Sequence, residues 1–178
     1  PADAKGLLKA AIRDDDPVIF IENIALYNTR GEVPEGEHLT PIGKSDVKRV
    51  GRDVTIVSHS RATVWAMEAA ESLAKDGIEA EVVDLRTLRP LDMEPVLESV
   101  RKTNHAVVFE EGWPTYGVSA EIAARISEHA FDYLDAPVRR VGGAEVPMPY
   151  SKVMERAAMP KPQDVVDVVK ALLARSTG

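Results

Sequence analysis

From residue 54 onward, short apolar runs alternate with helix-spaced apolar stripes, and no other feature of the sequence limits the fold as much. Residues 54–57, 80–85, 105–109 and 138–141 are too short for helices and rich in β-branched side chains, so each is expected to be a buried strand. After the first run, Ser58 or Ser60 can cap a helix whose apolar stripe is Ala62, Ala66, Ala69, Ala70 and Leu73, ending at Gly77. The alanines imply close packing against a sheet. A second helix is expected over about 93–102, with Asp92 as its N-cap and Pro95 in its first turn, and a third over 117–130. Ser151 opens a short helix, and Pro162 opens a last one with Val165, Val166, Val169, Leu172 and Leu173 on one face. Strands alternating with helices predict a three-layer α/β/α domain with a mainly parallel sheet.

The first 46 residues follow another pattern. Leu7, Leu8, Ala11 and Ile12 recur at helical spacing behind Asp3, a candidate N-cap, and the acids at 14–16 with Pro17 end that helix. Residues 18–21 form a continuous apolar run that reads as a buried strand. Between 28 and 44 the periodicity disappears among Gly31, Pro34, Gly36, Pro41 and Gly43, which is how a connector is written. A boundary near residue 46 therefore divides the chain into 1–46 and 47–178. Because the sequence opens on Pro1 without an initiator Met, it is expected to be the carboxyl-terminal part of something longer.

Composition removes several classes of function. The 178 residues are 44% hydrophobic and 29% charged, enough for one sizeable core, and contain no long uncharged apolar run suited to crossing a bilayer. The absence of cysteine excludes disulfides, thiolate zinc sites and thiol nucleophiles. A net charge of −7 argues against a nucleic-acid footprint, and the pair Arg139 and Arg140 is too small to change that. A cytosol or an equivalent matrix is the expected compartment.

The chemically tempting stretch is 105–126, a strand, a loop and a helix in succession, with Glu110 and Glu111 where the strand ends. Adjacent strand residues point to opposite faces, so the two carboxylates do not easily converge on one reacting atom and are expected to be solvated or to brace the loop. Trp113, Pro114 and Tyr116 form either a wall for a ligand or partner, or an internal cover for the sheet edge. Ser58-His59-Ser60-Arg61 stands where a strand hands over to a helix, but it lacks the flanking glycines of a nucleophile elbow, so capping is the preferred reading. His38, His59, His105 and His129 have no ligand spacing, and Gly142-Gly143 reads as a tight turn. Arg86 and Arg89 flank a turn, where they either brace carboxylates or reach across a subunit boundary. No catalytic, cofactor-binding or metal-binding residue is assigned.

Six segments in register resemble the beta subunits of pyruvate dehydrogenase. They are Ser-His-Ser-Arg at 58–61, Asp-Leu-Arg-Thr-Leu-Arg-Pro-Leu-Asp at 84–92, Lys-Thr-Asn-His at 102–105, Glu-Gly-Trp-Pro at 111–114, Leu-Asp-Ala-Pro at 134–137 and Val-Pro-Met-Pro-Tyr at 146–150. The resemblance implies a transketolase carboxyl-terminal domain over 47–178, preceded by the end of a pyrimidine-binding domain. It implies an oxidative decarboxylase whose thiamine diphosphate and magnesium are bound outside these residues. The implied partners are an alpha subunit, a second beta subunit and the subunit-binding domain of a dihydrolipoyl acyltransferase. Docking of that last partner falls to Asp135 and to the carboxyl end, although the tail 174–178 departs from the family's apolar ending. Trp113, Tyr116, Arg86 and Arg89 are expected at interfaces. Val-Pro-Met-Pro-Tyr favours pyruvate over branched-chain 2-oxo acids or acetoin, and the fragment alone is expected to be inactive. Two other readings are a stand-alone small-molecule domain with its pocket at 110–116 and a hydrolase using Ser58 or Ser60.

Overall fold

The structure, a computed structural model, describes residues 1–176, with side chains as far as Ala174. The carboxyl end expected to take part in docking lies outside the described residues. Five strands form one sheet in the order β1-β3-β2-β4-β5: β1 (Asp46–Arg49), β2 (Val54–Ser58), β3 (Ala80–Asp84), β4 (Ala106–Phe109) and β5 (Arg139–Val141). β2, β3, β4 and β5 run parallel to one another, and β1 adds to β3 in the antiparallel sense. The helices are α1 (Ala2–Ile12), α2 (Arg61–Lys75), α3 (Glu94–Thr103), α4 (Val118–Ala130), α5 (Lys152–Ala158) and α6 (Pro162–Ser176).

The alternation of side chains along each strand builds the three layers. Val54 and Ile56 of β2, Val82 of β3 and Val107 and Phe109 of β4 meet the alanine face of α2 and Val165, Val166 and Val169 of α6. Val57, Val83 and Val108 point the other way, onto Val96 and Val100 of α3 and Ile122 and Ile126 of α4. A strand covered on both faces has to be apolar almost throughout, which is why these runs carry no polar alternation. The exceptions are paired. Thr55 shares hydrogen bonds with Ser99 (2.6 Å) and Thr103 (2.7 Å) of α3, and the Glu81 carboxylate accepts from the Gly51 amide and from Lys102.

Several local expectations are corrected. Residues 18–21 form no strand: Ile19 is 89% exposed and Ile21 86%, because nothing among the described residues pairs with them. β1 was not expected, since Asp-Val-Lys-Arg carries a single apolar residue and is ordered by its ladder with β3. Asp3 and Asp92 are not caps. Pro1 and Met93 hold those positions, Asp3 forms ion pairs, and Asp92 accepts from the Ser45 amide instead. Ser60 does occupy the N-cap position of α2, but its side chain makes no capping bond.

Gly51 fixes the entry to β2. A Cβ at this position would stand 2.2 Å from the carbonyl carbon of Ala80 and 2.3 Å from the amide nitrogen of Glu81, with only backbone to give way. Gly51→Ala is expected to cost about 3 kcal/mol, the upper end of an overpacking penalty, measured by urea unfolding.

Candidate functional site

The chain leaves β2 toward β3 through α2 on one face of the sheet, and leaves β4 toward β5 through α4 on the other. The crevice between the carboxyl ends of β2 and β4 is therefore a topological switch point, where open parallel sheets hold their functional groups. Ser58, His59 and Ser60 come to it from β2, Asp84 from β3, and Glu110 and Glu111 from β4.

His59 is the group at the centre. Its Nε2 is shielded from water and has no hydrogen-bond partner. Burial holds its pKa below the usual value, and the negative charges of Glu110, Asp84 and Glu111 only partly counter this, so the ring is neutral at pH 7. Burial also raises the pKa of Asp84, against the amide of Arg86, which donates to Asp84 Oδ1 at 3.0 Å. The two glutamates diverge as expected. Glu110 is buried, its Oε1 accepting from the Ser119 amide (3.0 Å) in the first turn of α4, where the helix dipole favours a negative charge. The carboxylate lies so close to Gly117 that a Cβ there would be 2.4 Å from Oε1. Glu111 turns outward, accepting from Asn23 Nδ2 at 2.8 Å and pairing with Arg61 at 3.3 Å, while Arg61 lies 4.1 Å from the centroid of the Trp65 ring.

The set holds no activated nucleophile. The Ser58 hydroxyl is buried and donates to Thr63 at 3.2 Å. Ser60 stands at φ 54°, ψ −135°, a strained turn, but the Nε2 of the adjacent His59 is sealed from it and from solvent. Among the described residues no group of three or more His, Asp or Glu side chains could hold a metal ion. Gly142 and Gly143 pack against the carbonyls of Gly112 and Glu111, which fills the turn rather than leaving a phosphate cradle.

The other residues singled out in the sequence are dispersed. Trp113 is half exposed and Tyr116 fully exposed, so neither covers the sheet edge internally. Their loop is braced from β5, Arg140 donating to the Pro114 carbonyl, and by Glu145, which accepts from the Thr115 amide. Arg86 donates to Asp3 (2.7 Å) and Asp46 (2.8 Å) within the chain. Arg89 is exposed. Asp135 is exposed before β5, its amide donating to Asn104 just ahead of β4, so it lies at the amino ends of the strands, away from His59. The grouping of His59 with Asp84 and Glu110 was not found from the sequence; the signal available was that each directly follows or ends a buried apolar run.

The profile of the family described as transketolase, C-terminal domain, matches residues 43–165, and the chain belongs to that family. The chain is 52% identical to a pyruvate dehydrogenase E1 component subunit beta, mitochondrial, of Dictyostelium discoideum, over 98% of this chain and 50% of that one. It is 51% identical to the pyruvate dehydrogenase E1 component subunit beta of Rhizobium meliloti, over 96% of this chain and 37% of the relative. It thus spans half or less of the length of these curated relatives. Among solved structures, a split-gene transketolase in the form of an inactive beta4 tetramer superposes with a TM-score of 0.68 at 33% identity, over 81% of this chain and 46% of that one.

Two outcomes test the site. As pH falls, unfolded His59 takes up a proton near its usual pKa of about 6.5 before the folded ring does, so stability falls from pH 7 toward pH 5. In His59→Gln that part of the slope in urea midpoint against pH is expected to disappear. At Ser60, a β-branched side chain suits the positive φ poorly, so Ser60→Val is expected to lose about 2 kcal/mol while Ser60→Gly loses none, measured by thermal unfolding.

Proposed function

We propose that this chain is the carboxyl-terminal portion of the beta subunit of a thiamine diphosphate-dependent pyruvate dehydrogenase. That enzyme decarboxylates pyruvate oxidatively and passes the acetyl group to the lipoyl group of a dihydrolipoyl acyltransferase. The observation that carries this reading is identity near one half over 96–98% of the chain, which extends into residues ahead of the family profile. On this reading residues 47–178 are the transketolase carboxyl-terminal domain and 1–46 the end of the pyrimidine-binding domain. The apolar run at 18–21 supports that division, because it has the composition of a strand and lacks a sheet here.

The part played by this portion is assembly and docking rather than chemistry. In this reading thiamine diphosphate and magnesium are bound outside these residues, and no catalytic step is assigned to them. The solvent-accessible surface is 10659 Å², whereas a monomer of this mass typically exposes about 8,500 Å². The excess fits a chain whose surface is covered in part by the rest of its own subunit and in part by partners. Trp113, Tyr116, Met148, Tyr150 and Val153 are exposed aromatic and apolar groups available to a second beta subunit. Arg89 is a further interface residue in this reading, and the alpha subunit completes the assembly. Exposed Asp135, on a chain of net charge −7, suits a basic subunit-binding domain of the acyltransferase. Relatives named as mitochondrial and a bacterial relative support a mitochondrial matrix or a bacterial cytoplasm.

The reading is tested by titrating the beta subunit containing this chain with the isolated subunit-binding domain at moderate salt. Asp135→Arg is expected to weaken binding about tenfold or more with an unchanged melting temperature. Decarboxylation of pyruvate by the purified 178-residue chain with thiamine diphosphate and no alpha subunit would overturn the reading.

A further inference from the structure

α1 is held to the sheet by a means unlike that of any other long helix here. Its only buried residue is Gly6, pressed against Thr40 of the connector, while Leu8 and Ile12 are exposed. Eleven residues are too few for an isolated helix to be stable in water, and little apolar burial among the described residues compensates. What holds it is charge. Asp3 stands between Lys48 of β1 and Arg86 just after β3, and both cations also pair with Asp46. Lys9 and Arg13 pair with Glu37, and Lys5 donates to the Pro34 carbonyl. A second anchor lies farther along the same segment, where Asn23 donates to Glu111.

The cluster at Asp3 is half sheltered from water, which lessens screening. Burial works to raise the pKa of Asp3, but the Lys48 and Arg86 charges outweigh it and hold the carboxyl below its usual range. For Lys48, burial works to lower the pKa, and the hydrogen bonds to Asp3 and Asp46 outweigh it, leaving it above its usual value. The side chains come from three places in the chain: Asp3 from α1, Asp46 and Lys48 from β1, and Arg86 with Asp84 from the end of β3.

We infer that the Asp3–Lys48–Arg86–Asp46 cluster is an electrostatic latch that clamps α1 onto the carboxyl edge of the sheet and releases it, with the sheet intact, when the charges are screened or removed. The latch is a property of the 178-residue chain. Its use as a coupling between two domains, setting the angle at which a docking domain meets the preceding one, rests on the function proposed above.

The test is amide hydrogen exchange on the 178-residue chain. Asp3→Asn and Lys48→Gln are each expected to speed exchange in residues 5–12 roughly three- to tenfold, the loss that one partly sheltered ion pair implies. Lys48→Gln leaves the sequence of α1 untouched, so its effect is not one of helix propensity. Sodium chloride at 1 M, where the screening length is about 3 Å, is expected to reproduce the change in the wild type and to add little in the Asp3→Asn, Lys48→Gln double variant. Amides of β2 and β4 stay protected throughout, and Arg125→Gln, which breaks an exposed pair within α4, leaves α1 unaffected. Exchange in α1 that is insensitive to both variants and to salt would overturn the latch. So would a rise in which α1 and the β2 and β4 amides speed up together, since the cluster would then support the whole fold. Either result is independent of the docking titration, so failure of the latch and failure of the proposed function are distinguishable.

Discussion

Every residue of β2 is buried, and the rest of the molecule is arranged around that fact. A central strand without access to water must find hydrogen bonds on both edges and apolar partners on both faces. β3 and β4 supply the edges in parallel register, α2 with α6 covers one face, and α3 with α4 covers the other. The two hydroxyls on this strand are satisfied internally, Thr55 by α3 and Ser58 by Thr63, so the strand holds polar atoms without stranding them.

The same arrangement accounts for the crowding of charge at one end of the sheet. Parallel strands end together, and the backbone turns there toward helices on opposite faces. His59, Asp84 and Glu110, distant in sequence, are thereby brought to one edge. Each is held differently: His59 is half-buried with its Nε2 shielded from water, Glu110 accepts from the first turn of α4, and Asp84 accepts from the amide of Arg86. Glu111 points outward and ties Asn23 of the amino-terminal segment to Arg61 of α2. At this edge the Glu111 contacts hold one part of the chain against another.

Asp135 and the exposed aromatic loop divide the remaining surface. Asp135 lies near the amino ends of the strands, while Trp113 and Tyr116 follow β4 at the carboxyl ends. The two features therefore lie at opposite ends of the sheet.

The layers were legible in the sequence because buried strands and amphipathic helices write their environment directly into residue type. The runs at 54–57, 80–85 and 105–109 and the alanine stripe of α2 have no other stable use. The divergence of Glu110 and Glu111 was equally legible, because strand geometry alternates side chains whatever the surroundings. What depended on distant residues was not. β1 has almost no apolar signal and exists because β3 offers an open edge, and residues 18–21 look like a strand but have no edge to join among the described residues. Asp3 reads as a helix cap and is instead an ion-pair partner of Lys48 and Arg86, because a carboxylate follows the strongest positive charge within reach and only the folded chain decides which charges those are. The sequence by itself determined which segments must be buried and in what local form. The tertiary structure decided which edges are paired, which charges meet, and that the Nε2 of His59 is shielded from water, since those depend on contacts that no local pattern encodes.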